Sequence, residues 1–319
     1  MTILLRRLMV FVFFFAAWLS QPVAWGQDAK PTVNFHTPGP SILSVPFQIA
    51  EEQGFYKDEG LNVEFLVMAT GAGVQALIAG NVDASQILGL TLRAAINRGA
   101  PLKIALVFND RPTYWLTTKK EISSFEDLRG KIIASSSPGA SSDALLQRLL
   151  AKHGIVPKKD VTIVYIGSST VTYQALVRGS VPAAVMVPPF SSLAKGQGFR
   201  ELADFGKEDL GPFLGGGVSV SDKFSRERPE VMARFLRATW RGLRLLKTNP
   251  KVAVLIMSRF LNLQPEIANS VYESTSPSFT EYGFNPEDWQ VKVVEQEIGR
   301  EDRNLAQKAF DFSVVRSFK

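Results

Sequence analysis

Cysteine is absent from this 319-residue chain, and histidine occurs only at His36 and His153. Without a thiol there is no disulfide, thiolate metal site, lipid-attachment site or cysteine nucleophile. The chain also has no paired-histidine metal helix, no Gly-x-Ser-x-Gly nucleophile elbow and no phosphate-binding glycine loop with its lysine. No catalytic residue, cofactor or metal is therefore expected. Lys and Arg exceed Asp and Glu by only six, which is too little for nucleic acid without a basic cluster. The densest basic run, Arg234, Arg237, Arg241, Arg244 and Lys247, falls at helical spacing and reads as a solvated face.

The longest apolar run lies at the start of the chain. Arg6-Arg7 precede a charge-free, phenylalanine-rich run over 8–19, roughly twelve residues against the about twenty that cross a bilayer. Ala24-Trp25-Gly26 offers small residues at the two positions a signal peptidase reads. Residues 1–26 are thus expected to be a secretory signal peptide cut after Gly26. Losing Arg6 and Arg7 takes the cationic excess from six to four. The composition, 45% hydrophobic and 21% charged, is that of a globular chain able to bury one or two cores.

What is present in quantity is a repeated unit. Gln75-Ala76-Leu77-Ile78-Ala79-Gly80-Asn81-Val82-Asp83-Ala84 returns as Gln174-Ala175-Leu176-Val177-Arg178-Gly179-Ser180-Val181-Pro182-Ala183, roughly one hundred positions later, a spacing that suits sister lobes better than a solenoid. Each copy reads as a helix end, a glycine stop and a short apolar strand, at 85–88 and 184–187. Upstream, Gly54 and Gly154 end a further helix in each copy, and apolar strands follow at 63–67 and 161–164. Strand, helix, strand, helix, strand favours a mainly parallel sheet flanked by helices, an α/β architecture in two lobes. Lobe 1 is expected to hold 27–113 and 215–319, and lobe 2 to hold 114–214. The chain would leave near Asn109-Asp110-Arg111-Pro112 and return through the flexible, glycine-bearing 211–217. A helical tail is expected over 229–248, 251–260 and 265–272, with Asn249-Pro250 and Gln264-Pro265 as breaks.

In an open parallel sheet, ligands bind beyond the carboxyl ends of the strands. The loops there come in pairs: 37–44 with 135–142, 69–73 with 167–170, and 86–90 with 187–190. They carry Ser41, Ser44, Thr70, Gly71, Leu88 and Gly89 on one side, and Ser137, Ala140, Ser141, Ser169 and Pro189 on the other. Glycines let backbone approach a ligand, hydroxyls are short donors, and helix N-termini suit an anion. Helix capping is the plain alternative for each serine taken alone; Ser44 fits a cap before Pro46. Arg111, near the lobe crossing, could grip a carboxylate, sulfonate or phosphate, or form a structural ion pair. His36, at a strand end, is a contact candidate, and His153, beside Gly154, reads as structural. Tyr114, Trp115 and Phe190 are candidates for stacking or for packing.

The run from Ser44-Val45-Pro46-Phe47 through Glu51-Glu52-Gln53-Gly54-Phe55-Tyr56 and Gly60-Leu61 to Val63 resembles the solute-binding proteins of ABC importers. The similarity is to the nitrate, taurine and aliphatic-sulfonate group, which is related to the pyrimidine synthase of thiamine biosynthesis. Ala76-Leu77-Ile78-Ala79-Gly80-Asn81-Val82-Asp83-Ala84, Phe125-Glu126-Asp127-Leu128-Arg129-Gly130-Lys131 and Pro188 also match, over residues 32–245. The resemblance implies a two-lobe periplasmic-binding-protein fold, type II-like, that closes on a small, anionic organic solute without catalysis. It implies a periplasmic monomer that hands the solute to an inner-membrane permease with its ATPase. A solute sensor, a binder of a thiamine-pyrimidine or other heterocyclic precursor, and an exported enzyme stay open. One departure is visible: Pro182 stands where the family's second repeat carries an acid.

Overall fold

The computed structural model describes residues 30–318 apart from 137, 139, 168, 281, 282, 284–286 and 299–301. The expected signal peptide lies outside the described residues. The first half begins with β1 (Thr32–Thr37), α1 (Val45–Glu52), α2 (Phe55–Asp58) and β2 (Asn62–Val67). It continues through α3 (Thr70–Ala79), β3 (Ala84–Ile87), α4 (Leu90–Asn97) and β4 (Leu102–Asn109). The second half comprises β5 (Trp115–Thr118), β6 (Ile132–Ser135), α5 (Ser141–Lys152), β7 (Thr162–Tyr165), α6 (Ser169–Val177), β8 (Ala183–Met186), α7 (Phe190–Gly196) and β9 (Arg200–Asp204). The chain then passes into β10 (Gly216–Ser221) and a helical series: α8 (Asp222–Glu227), α9 (Pro229–Thr248), α10 (Pro250–Phe260), α11 (Pro265–Thr275), α12 (Glu287–Ile298), α13 (Arg303–Ala309) and α14 (Ser313–Arg316). Among the described residues, no helix is long and apolar enough to cross a membrane.

Two five-stranded sheets result, ordered β2-β1-β3-β10-β4 and β7-β6-β8-β5-β9. β1 pairs in parallel with β2 and β3, as β6 does with β7 and β8. In each sheet one strand runs against its neighbours: β10 between β3 and β4, and β5 between β8 and β9. These are the strands by which the chain enters one sheet after leaving the other. The repeat read from the letters is therefore a structural repeat, with β2-β1-β3 and β7-β6-β8 built alike. Gly80 and Gly179 end α3 and α6 at φ 74° and 77°, left-handed values that a Cβ makes costly. Pro182 does not displace the second copy, since β8 starts at Ala183 just as β3 starts at Ala84.

Burial follows the sheets. One core draws on Val33, Phe35, Phe47, Leu77 and Phe108, and also on Val218, Phe235 and Phe312. Separate clusters on the second sheet gather Leu116, Ile133, Leu146 and Phe205, and Ala134, Leu176, Ala184 and Met186. Two expectations need correction. The stretch 211–217 is not simply a flexible return, because Gly216 and Gly217 already pair with Asn109 and Val107 within β10. The basic run on α9 is not merely solvated: Arg234 donates to the Glu59 carbonyl at 3.1 Å, Arg237 to the Glu59 carboxylate at 3.1 Å and Arg241 to Asp58 at 2.7 Å. These contacts pin α2, although exposed pairs of this kind stabilise by at most about 1 kcal/mol each.

The expected tail helices over 229–248, 251–260 and 265–272 are present as α9, α10 and α11, but the chain does not stop there. It returns to the outer edge of β4, where Val107 N–H donates to the Gly283 carbonyl at 2.8 Å and Asp311 N–H to that of Ile104 at 2.9 Å. An edge strand left open is an aggregation hazard, and this return covers it. The expected tail stops at 272, and α12, α13 and α14 lie beyond it, past a stretch with Ser, Pro and Gly over 276–286.

The contact of α9 with α1 sets a test of the fold. A Cβ at Gly242 of α9 would lie 2.2 Å from the Pro46 carbonyl and 3.0 Å from Ala50 Cβ of α1. Gly to Ala gains about 1 kcal/mol of helix propensity, whereas overpacking a contact against rigid backbone costs about 1–3 kcal/mol. Gly242→Ala is expected to lower stability by up to about 2 kcal/mol in urea unfolding; a stabilised variant would show that α9 and α1 separate at little cost.

Candidate functional site

The parallel strands of both sheets deliver their carboxyl ends, and the N-termini of the helices that follow, to a shared cavity of about 630 Å³. Ser41, Thr70, Leu88 and Gly89 line it from the first half, and Ala140, Ser141 and Ser169 from the second. Thr70 opens α3, Gly89 and Ala140 are the N-caps of α4 and α5, and Ser169 opens α6. First-turn N–H groups of a helix lack intrahelical partners, so several sets of donors face one space. Tyr114 also lines the cavity, and burial pushes its phenol up to about 12, leaving the hydroxyl neutral at physiological pH.

Other expected contacts lie elsewhere. Ser44 is buried behind Ser41, its Oγ 3.0 Å from Ser41 Oγ, 2.9 Å from the Gly39 carbonyl and 3.0 Å from Gln86 Oε1. It makes no side-chain cap for α1 and borders a second cavity of about 110 Å³ rather than the main one. Gly71 is exposed one residue past Thr70 and does not line the cavity. Pro189 caps α7 outside it, and Val187 takes the lining position instead. Arg111 is exposed, two residues beyond the end of β4, and does not line the cavity. Ser137 lies outside the described residues. Trp115 is packed into β5 and Phe190 lies 5.6 Å from Tyr173, so neither stacks in the cavity. His36 is fully buried behind the wall and is not a lining residue. His153 stacks on Phe125 at 3.5 Å, a structural place as expected.

The most informative residue missed by sequence reasoning is Gln86, 4% exposed yet lining the cavity. Its Oε1 lies 2.9 Å from Thr37 Oγ1 and 3.0 Å from Ser44 Oγ, and its Nε2 is 3.5 Å from Ser41 Oγ. One amide thus ties β3 to the loop 38–44 that forms a cavity wall. The signal was available: Gln86 interrupts an apolar strand whose second copy has Val185 at that place, and Val185 lines the opposite wall. Ser136, Ser142 and Thr172 were missed as well; the Ser136 and Ser142 hydroxyls, 2.7 Å apart, fasten the loop after β6 to α5.

No charged side chain lines this cavity among the described residues. A neighbouring cavity of about 290 Å³ shares Ser141 and receives Arg93 from α4 and Arg148 from α5. The described residues hold no cluster of His, Asp and Glu that could bind a metal ion.

Two α/β lobes of like build, linked by exchanged strands around a cleft at their strand ends, form the periplasmic-binding-protein fold. The solved periplasmic aliphatic sulphonate-binding protein SsuA of Escherichia coli superposes with a TM-score of 0.69 at 19% identity, covering 88% of this chain and 92% of that one. The NMT1/THI5-like family model matches residues 43–253, and the chain belongs to that family. Among curated relatives, riboflavin-binding protein RibY of Chloroflexus aurantiacus is 26% identical over 295 residues, covering 86% of this chain and 82% of the relative. The 4-amino-5-hydroxymethyl-2-methylpyrimidine phosphate synthase of Legionella pneumophila is 25% identical over 270 residues, covering 82% of each.

Replacing Gln86 tests the wall. Gln86→Leu removes the close acceptor of the buried Thr37 hydroxyl, while Ser44 keeps the Gly39 carbonyl at 2.9 Å, and a buried hydrogen-bonding group left unmatched costs about 1–3 kcal/mol. That loss is expected in chemical unfolding, and faster amide exchange should be confined to 38–44. Uniform exchange across both lobes would assign Gln86 to general packing instead.

Proposed function

We propose that this chain is the extracytoplasmic solute-binding subunit of an ABC importer, and that its solute is a small organic molecule with an uncharged heterocyclic body, flavin-like or pyrimidine-like. The lobes 27–113 with 215–319, and 114–214, close on the solute, and the membrane permease with its ATPase receives it from the closed form. Closure is favoured because only then does the solute touch both walls. The protein acts as a monomer in the periplasm after loss of the leader at 1–26, and it carries out no catalysis.

The observation that carries this reading is the uncharged lining of a cavity of about 630 Å³. That size falls among organic-ligand sites, which span about 300–1,000 Å³, and it far exceeds nitrate. Neutral hydroxyls, an amide and Tyr114 on apolar walls suit ring nitrogens and carbonyls. The RibY and pyrimidine-synthase relatives point to the same chemistry. Their synthase members keep an enzyme in view, but no cysteine is available to this chain and its two histidines do not line the cavity.

A second reading, a sulfonate or carboxylate solute, is favoured by one feature: the helix N-termini at Thr70, Gly89, Ala140 and Ser169 present N–H donors and partial positive charge without any cationic side chain.

Calorimetry with riboflavin, a hydroxymethylpyrimidine, taurine, alkanesulfonates and nitrate separates the two. A heterocycle is expected to bind, to stabilise the protein by about 2.7 kcal/mol at a free concentration one hundred times its Kd, and to reduce the radius of gyration. Binding by an alkanesulfonate alone would transfer the assignment to the anionic reading. Turnover of the bound molecule would reverse the non-enzymatic one.

A further inference from the structure

Behind the cavity wall, His36 at the end of β1 holds two of its segments at once. Its Nε2 is 3.1 Å from the Met68 carbonyl, and its Nδ1 is 2.8 Å from Ser85 Oγ. A carbonyl only accepts, so Nε2 carries the proton and Nδ1 is the bare nitrogen. Ser85 must then donate its hydroxyl proton to Nδ1, and its Oγ accepts from Ile87 N–H at 3.1 Å. Met68 leads into Thr70, and Ile87 precedes Leu88 and Gly89; Thr70, Ile87, Leu88 and Gly89 all line the cavity. The ring is itself held by α3, since a Cβ at Gly73 would come within 1.9–2.2 Å of three ring atoms.

The second lobe lacks this arrangement. With Gln75 aligned to Gln174, Gly73 corresponds to Thr172, and the strand register places Ala134 and Ala184 where His36 and Ser85 stand. Small alanines leave room for Thr172, which reaches the cavity itself. In the first lobe the imidazole fills that space, and position 73 has no side chain. The exchange is correlated across two positions, so the ring is a built feature of one wall.

We propose that His36 is a positioning residue of the solute cavity, joining the Met68–Thr70 and Ser85–Ile87 segments through one imidazole and making their geometry depend on its protonation. The proposal rests on the cavity being the solute site. When Nδ1 gains a proton it faces the Ser85 hydroxyl as a donor, so the hydroxyl must turn away and its proton loses its acceptor in a site with no solvent exposure. Oγ then has to serve both the ring and Ile87 N–H. The groups facing the ring are Ser85 of β3, the Met68 carbonyl and Gly73 of α3, none of them charged. Burial lowers the His36 pKa, and the bond to Met68 only partly offsets this. Its folded value therefore lies below the unfolded one. The neutral, tied state is complete above about pH 6.5 and is lost as pH falls through the lower folded value.

With only two histidines in the chain, imidazole and amide NMR of the solute-free protein reads this directly. On acidification from about pH 8 until the His36 ring titrates, the Thr70 and Ile87 amides are expected to move with that ring. They should stay still in His36→Gln, which keeps one donor and one acceptor but does not titrate. His153→Gln should leave the step intact. Ser85→Ala, which keeps the ring, should abolish the Ile87 step and retain the Thr70 step. Amides that do not follow His36, or that still move in His36→Gln, overturn the proposal. With riboflavin as probe, Kd is expected to rise as the His36 ring gains its proton in the unaltered protein and to stay flat in His36→Gln. The spectra need no solute, so failure of riboflavin to bind overturns the heterocycle reading while the spectra decide this one.

Discussion

The site depends on strand direction. β1 and β3 run in parallel, as do β6 and β8, and a parallel connection must cross over through a helix that starts where the strand ends. Every such helix therefore opens on the same edge of its sheet. Insertion of β10 and β5 against that direction carries the chain between the lobes at those edges, so the donor-rich ends of α3, α4, α5 and α6 converge on one space.

That geometry also accounts for the electrostatics of the cleft. Nothing in the fold demands a cationic side chain where aligned peptide dipoles already present partial positive charge. Hydroxyls and an amide on apolar walls would match the groups of a polar, uncharged body rather than strip them, which keeps the desolvation cost low. Arg111 lies at the lobe crossing but is exposed, and Arg93 and Arg148 border a neighbouring cavity instead. A solute with an anionic group would meet helix ends in the main cavity and guanidinium groups only beside it.

Much of this was legible in the letters. Two copies ending in Ala-Leu-x-x-Gly specify strand, helix and stop, and helix order in turn specifies which loops share an edge, so Ser41, Thr70, Gly89, Ser141 and Ser169 could be named from chain order. What chain order does not reveal is depth. Ser44 and Ser41 are three residues apart on one loop, yet one is buried on Gln86 and the other lines the cavity. Side-chain direction in an irregular loop has no period to read. Gly73 shows the same limit: its missing Cβ makes room for His36, a role that chain order does not reveal.

The asymmetry of the two lobes follows from that substitution of roles. The second lobe presents Thr172 and Val185 directly to the cavity, whereas the first presents a wall held from behind by His36 and tied by Gln86, which itself lines the cavity. Both residues are buried polar groups with several partners, and removing one partner leaves another unmatched. A wall fixed in this way keeps its donors in place before a solute arrives, which lowers the ordering cost of binding. The second lobe has a tie of its own, between the Ser136 and Ser142 hydroxyls, but it lies within one loop and the helix that follows. Two copies of one plan thus build their walls differently, one with a buried imidazole and an amide, the other with Thr172 and Val185.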